Sequence, residues 1–180
     1  MAITIGIDAS LNGTGVICLK DETTELHKRI ESKLKGVKRL IDIEDTLKFI
    51  VDKLPADLIL IEGYAYAAKN QAHQIGELGG VIRTMLEKRG LPWIEVAPSQ
   101  VKKFASGKGN AKKDLVMLNV YKKWGVEFAS SDEADAYVIA RIGQALLSKD
   151  TELTQYQAEV IADLRKKYKE TLQLVQLLGA

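Results

Sequence analysis

The sequence predicts an α/β fold: a mixed five-stranded sheet flanked by helices, with an extra C-terminal helix. Three observations point to it. Residues 3–8 and 14–20 are β-rich runs joined by a short polar turn containing glycine, the signature of an antiparallel hairpin. Further on, short apolar runs at 57–63 and 93–97 alternate with stretches of helical period, as in parallel βαβ units. Last, Leu153, Tyr156, Val160, Leu164, Tyr168, Leu172 and Val175 recur as a single amphipathic stripe.

Taken in order, Ile3 to Asp8 forms a strand that ends on a carboxylate. After the second strand, Asp21 to Thr24 reads as a turn, and the heavily charged Leu26–Ser32 reads as an edge strand. Val37, Leu40, Ile41, Leu47, Ile50, Val51 and Leu54 have helical spacing, closed by Pro55. Leu58 to Ile61 is near-continuously apolar, the pattern of a strand buried on both faces, and it too ends on an acid, Glu62. A helix follows over 70–89 and stops at Gly90-Leu91-Pro92. Strand 93–97 is cut by Pro98, with Ser99 as the expected cap of a short helix to Phe104. Ser106–Asn110 is a basic, glycine-containing loop, and a helix from Ala111 to Trp124 ends at Gly125. Ser130 and Glu133 have capping-box spacing and open a helix to about Leu147. The stripe then runs from a cap at Asp150-Thr151 to Leu178. The expected division is a domain over 1–150 and an amphipathic helix over 151–180, packed on that domain or extending it.

Composition narrows the function classes. Net charge is only +2, so an anionic partner must be met by a local patch. No apolar run approaches the roughly 20 residues of a membrane span. The opening strand lacks the pattern of a secretion signal, and the single cysteine, Cys18, excludes an internal disulfide framework. A cytoplasmic protein with no membrane partner is expected.

Asp8 and Glu62 end buried strands at the sheet edge where α/β proteins bind ligands. Asp132 and Asp135, spaced i, i+3, share one face of the first turn of a helix, where the macrodipole favours negative charge. Any one of these acids also reads as a turn residue or helix cap. Converging, they would repel one another unless a cation neutralised them. An oxygen-only set without a His or Cys cluster selects Mg²⁺ or Mn²⁺ over zinc. Two such ions, roughly 4 Å apart, support phosphodiester hydrolysis.

The ordered set Gly6-Ile7-Asp8, Gly13-Thr14-Gly15, Ile61-Glu62, Ala68-Lys69-Asn70, Pro98–Lys102, Gly107–Lys113 and Asp132–Ala136 resembles the RuvC family of Holliday-junction resolvases over about residues 3–147. The resemblance implies an RNase H-like fold and a Mg²⁺-dependent homodimer acting on four-way and other branched DNA in recombination and repair. It places the catalytic carboxylates on Asp8, Glu62, Asp132 and Asp135. Of these, Asp8, Glu62 and Asp135 would be direct metal ligands, with Asp132 completing the site. The active-site lysines fall on Lys102 and Lys113. An aromatic that stacks on junction bases falls on Tyr64 or Tyr66, beside Lys69. Two departures stand out: Asp8-Ala9-Ser10 replaces the usual Asp-Pro-Gly, and the segment before Ala68 is one residue longer. The small size and the added C-terminal segment resemble phage-encoded members, including those of lactococcal phages, which would place the protein in a host bacterial cytoplasm.

Residues 99–125 carry Lys102, Lys103, Lys108, Lys112, Lys113, Lys122 and Lys123 against one acid, Asp114. This is the local patch a near-neutral chain needs for phosphates. Gly76, Gly79 and Gly80 mark the 70–89 helix as the expected dimer interface. Arg165, Lys166, Lys167 and Lys169 offer the C-terminal stripe a possible second role toward DNA. Two other classes remain open at this level: a branched-DNA binder without catalysis, and an actin-like ATPase, for which the chain is short.

Overall fold

In the computed structural model, which describes residues 2–21, 23–64, 72–148 and 152–178, the strands are β1 (Ile3–Asp8), β2 (Thr14–Lys20), β3 (Thr23–Ile30), β4 (Leu58–Glu62) and β5 (Trp93–Val96). The helices are α1 (Val37–Lys53), α2 (Ala72–Lys88), α3 (Pro98–Ser106), α4 (Lys113–Trp124), α5 (Ser131–Leu147), α6 (Gln155–Lys167) and α7 (Lys169–Leu178). The strands make one sheet in the order β3-β2-β1-β4-β5. The two pairs on the β3 side are antiparallel and the two on the β5 side parallel. This is the mixed sheet that the early hairpin and the later βαβ alternation predict.

Period-2 alternation gives the sheet two apolar faces. Ile5, Ile7, Ile59 and Ile61 pack with Leu47 of α1 and Ile82 of α2. Ile17, Leu19, Leu58 and Leu60 pack with residues of α3 to α7. Burying each such side chain contributes about 1.5–3 kcal/mol relative to exposure. Helix α5 lies at the centre of the second face, with Tyr137, Val138, Ile139 and Ile142 buried. It approaches β1 so closely that a Cβ at Gly6 would collide with the Ala136 carbonyl oxygen and the Ala140 amide nitrogen. Thr4 Oγ1 donates to the Ala140 carbonyl at 3.1 Å and fixes that contact.

Several expectations are corrected. Lys20 pairs with Thr23, so Thr23 and Thr24 belong to β3 and not to a turn; Asp21 makes the tight turn instead, at φ 50°. Helix α3 begins at Pro98, whose missing N–H suits a first helical position, and its cap is Ala97 in place of Ser99. The Ala97 N–H donates to Gln100 Oε1. Helix α4 starts at Lys113, two residues later than expected.

The C-terminal stripe is two helices. Helix α6 is capped by Thr154 and ends at Tyr168, whose hydroxyl accepts the Glu95 N–H of edge strand β5 at 3.2 Å. That tertiary contact overrides a continuous helical period. The stripe is nonetheless used, because Val160, Leu164, Leu172 and Val175 are all buried in the second core. Among the described residues, no helix is long and apolar enough to cross a membrane.

Candidate active site

Strand register determines which side chains meet at the end of the sheet. Asp8 is the last residue of β1 and Glu62 the last of β4, and the two strands run parallel with Ile7 beside Ile61. Asp8 pairs with Gly15, and Gly15 pairs with Arg29 on β3. Paired residues share a face, so Asp8, the bare backbone of Gly15 and Arg29 stand in a row. The first turn of α5 rests on the gap in that row, where a Cβ at Gly15 would collide with the Asp132 carbonyl. Asp132 and Asp135 are thereby brought to the acids of β1 and β4.

The result is a cleft of about 240 Å³ lined by Asp8, Glu62, Asp132, Asp135, Lys102 and Lys113. Tyr64 and Arg83 line the same cleft. A larger cavity, about 740 Å³, lies between α3, α5 and the start of α6, with Phe104, Trp124, Arg141 and Gln157 in its wall. It opens beside Ala2 and Asp21, at the other end of β1 and β2, and holds none of the four acids.

Burial first, then the charges of Glu62 and Asp135, push the Asp8 carboxyl well above its ordinary value. Burial and Asp135 push Glu62 up to about 7, against the opposing influence of a hydrogen bond from Asp8 and the charges of Lys102 and Lys113. Asp135 is pushed up to about 6, chiefly by burial, with Lys113 and Lys102 opposing. Among the described residues, no three acids already surround one ligating point; Asp8 and Glu62 are turned on each other, and Asp132 on Arg29 at 3.4 Å. The donor set itself fits a hard divalent cation: one buried and three half-buried carboxylates, costly to ionise together, with Lys102 and Lys113 beside them.

Lys102 is half-buried on α3, and Lys113 opens α4 with its Nζ 3.1 Å from Ser131 Oγ. Lys108 and Lys112 are exposed on the loop between these helices. Lys103 is engaged elsewhere, 2.7 Å from Glu159 Oε2 of α6. The Tyr64 ring has the Arg83 guanidinium 4.2 Å from its centroid, and Gly79 lies against both. Gly79 thus packs inward, unlike Gly76 and Gly80, where an added Cβ would meet nothing within 4 Å. Tyr66, Lys69 and the Ala68-Lys69-Asn70 motif lie outside the described residues.

Sequence reasoning missed a second set of residues, on β3. His27 Nε2 is 2.6 Å from Glu133 Oε1, and Ser130 Oγ donates to Glu133 Oε2 at 2.7 Å. Burial alone would raise the Glu133 carboxyl, yet the bonds from Ser130 and His27 hold it below its ordinary value. The His27 ring also meets Phe128 edge-on, at 5.0 Å between centroids. These contacts pin the turn of α5 that carries Asp132 to the edge strand. The signal available in the sequence was alternation: His27 and Arg29 are two apart on a strand whose partner residues are Ile17 and Gly15.

The family model described as crossover junction endodeoxyribonuclease RuvC matches residues 4–142. The protein of that name from Rickettsia conorii is 31% identical over 147 residues, covering 77% of this chain and 94% of its own. The one from Anaeromyxobacter sp. is 33% identical over 103 residues, 57% of this chain and 50% of its own length. Among solved structures, Thermus thermophilus RuvC in complex with a Holliday junction substrate superposes with a TM-score of 0.66 at 22% identity, covering 78% of this chain and 91% of that one. The yeast mitochondrial Holliday junction resolvase gives 0.56 at 14% identity, over 93% of this chain and 83% of its own. At those identities the likeness is one of fold.

Proposed function

We infer the function from one premise: the chain belongs to the RuvC family of crossover junction endodeoxyribonucleases, a family of metal-dependent nucleases. We propose that it is a structure-selective endonuclease that resolves Holliday junctions and other branched DNA, in recombination and repair or in phage DNA processing. The observation that carries this reading is the meeting of Asp8, Glu62, Asp132 and Asp135 with Lys102 and Lys113 in one cleft.

In this reading Asp8, Glu62 and Asp135, with Asp132, hold two Mg²⁺ ions, for which Mn²⁺ substitutes. Bound there, such ions supply an activated water and stabilise the leaving oxygen of a phosphodiester. Lys102 and Lys113 offset charge that develops on the phosphate. Lys108 and Lys112 hold the flanking backbone, and Lys103 joins them only by leaving Glu159. Tyr64, backed on one side by Arg83, offers its other side to a base, and Tyr66 and Lys69 are placed by the family pattern alone.

Two strands must be cut symmetrically, so the working form is a homodimer. The face of α2 bearing Gly76 and Gly80 is its proposed contact. Residues 1–150 make the nuclease domain, and 151–180 brace it through Lys103–Glu159 and the buried stripe. Acting on DNA, the protein works in the cytoplasm, that of a host bacterium if phage-encoded.

The test is a labelled four-way junction and a linear duplex of matched sequence, each with Mg²⁺. Paired, symmetric nicks near the branch are expected, with the duplex intact. Junction binding without any cut in Mg²⁺ or Mn²⁺ would instead leave a non-catalytic junction binder.

A further inference from the structure

Among the described residues, Asp132 is the one of the four acids in an ion pair. Arg29 Nε stands 3.4 Å from Asp132 Oδ2, while Nη2 donates to the Asn12 carbonyl at 3.3 Å and Nη1 meets Glu31. This placement is built in. Register sets Arg29 beside Gly15 and on the face of Asp8. The slot for its guanidinium exists because position 13 has no side chain; a Cβ there would collide with Arg29 Nε, Cζ and Nη2. Asp132 is also the weakest of the three charges acting on Asp8, behind Glu62 and Asp135. Asp132 still presses on its helix neighbour Asp135, but its carboxylate is turned toward Arg29.

The hold is exchangeable. The side chains of Arg29 and Asp132 retain 30% and 17% of their exposure, and ion pairs that reach water contribute little. A backbone phosphate is the stronger partner for Arg29, because its oxygens match the planar guanidinium in a two-point contact. Arg29 also begins a cationic surface. Residues 28–39 hold Lys28, Arg29, Lys33, Lys35, Lys38 and Arg39 against one acid, Glu31. Lys28, Lys33, Lys35 and Lys38 are exposed, and Arg39 Nε donates to the Leu34 carbonyl at 2.8 Å, tying the loop that carries them. Edge strand β3 leads directly into this loop, so DNA lying on it brings phosphates to Arg29.

We propose that Arg29 is a positioning residue that holds Asp132 aside until a DNA phosphate takes its guanidinium, so that substrate binding at the β3 edge completes the metal-binding set. The proposal rests on the metal-dependent nuclease reading. Without DNA, the divalent cation is held by Asp8, Glu62 and Asp135. With DNA, Asp132 joins them, and by linkage the cation strengthens DNA binding by the same factor as DNA strengthens cation binding.

Calorimetric titration of Mn²⁺ into the DNA-free full chain tests this with four proteins: wild type, Arg29→Gln, Asp132→Asn and the double variant. Arg29→Gln is expected to bind Mn²⁺ about two- to fivefold more tightly than wild type, the fold-change equivalent of a water-exposed ion pair. In the Asp132→Asn background the same change is expected to have no effect. Equal tightening in both backgrounds would reduce the result to the loss of a nearby positive charge and overturn the proposal. No tightening in either would overturn it as well. Asp8→Asn separates the layers: if it loses Mn²⁺ while Arg29→Gln matches wild type, the latch alone fails. If wild type itself binds no Mn²⁺, the nuclease reading fails and the latch with it.

Discussion

Strands β1 and β4 differ from strand β3 in what they contribute to the same cleft. The first two are central, apolar on both faces, and each ends on an acid, buried at Asp8 and half-buried at Glu62. Their carboxylates stand on hydrogen-bonded central strands, and burial pushes both above their ordinary values. Strand β3 is an edge, mostly exposed, and its His27 and Arg29 reach across to Glu133 and Asp132 on α5. The rigid strands fix where the charge sits. The edge strand governs how the remaining acids are presented. In the proposed reading, chemistry that needs invariant geometry is placed on the core, and contacts that exchange with a substrate are placed where water already competes for them.

The largest effects are expected at the core. Asp8→Asn is expected to lower junction cleavage by about 10³-fold or more, because several kcal/mol of charge stabilisation depend on the ligand set. The same substitution should raise the melting temperature of the metal-free protein, since it removes a buried, repelled acid. A competition gel shift should find junction affinity in EDTA unchanged. Gly15→Val strikes the seat of α5 and should destabilise the fold by about 1–3 kcal/mol, seen in urea denaturation, with cleavage falling alongside.

At the edge the effects shrink. His27→Ala leaves Glu133 with Ser130 alone, and single-turnover cleavage should fall by about tenfold with little change in junction affinity. Protonation gives a further contrast. Glu62 at about 7 and Asp135 at about 6 are raised from 4.5 and 3.8, so the folded protein binds more protons than the unfolded chain. Stability from this source is full below the unfolded values and is lost as pH climbs through the folded ones. The melting temperature of the metal-free protein should therefore fall by several degrees between about pH 5 and pH 8, and Mg²⁺ should restore it. The smallest effect is expected at Lys103, which already has Glu159: Lys103→Met should weaken junction binding by less than about twofold, within the range of a surface ion pair.

Local signals made most of the fold legible. The unbroken apolar run of β4, the Ser130 cap with Glu133 three residues on, and the glycine after α4 each act within a few residues, and each is used as read. Contacts across the chain were not legible. Nothing near Tyr168 announces that its hydroxyl meets the backbone of β5, and periodicity alone predicts a single helix there. Lys102 and Lys103 look alike in sequence, yet the first lines the cleft and the second turns to α6. The four acids were legible because each ends or begins an element. Arg29 and His27 were not, because their importance comes from a register two strands removed from Asp8.

The central claim is that the acid end of the sheet is a metal centre, and oxidative mapping of the bound cation tests it most directly. Fe²⁺ loaded in place of Mg²⁺, with ascorbate and peroxide, generates hydroxyl radicals that cut the polypeptide beside the ion. The account predicts breaks near Asp8, near Glu62 and within 132–135, suppressed by excess Mg²⁺ and absent in Asp8→Asn. Breaks confined to other segments, or the same breaks persisting in Asp8→Asn, would contradict it.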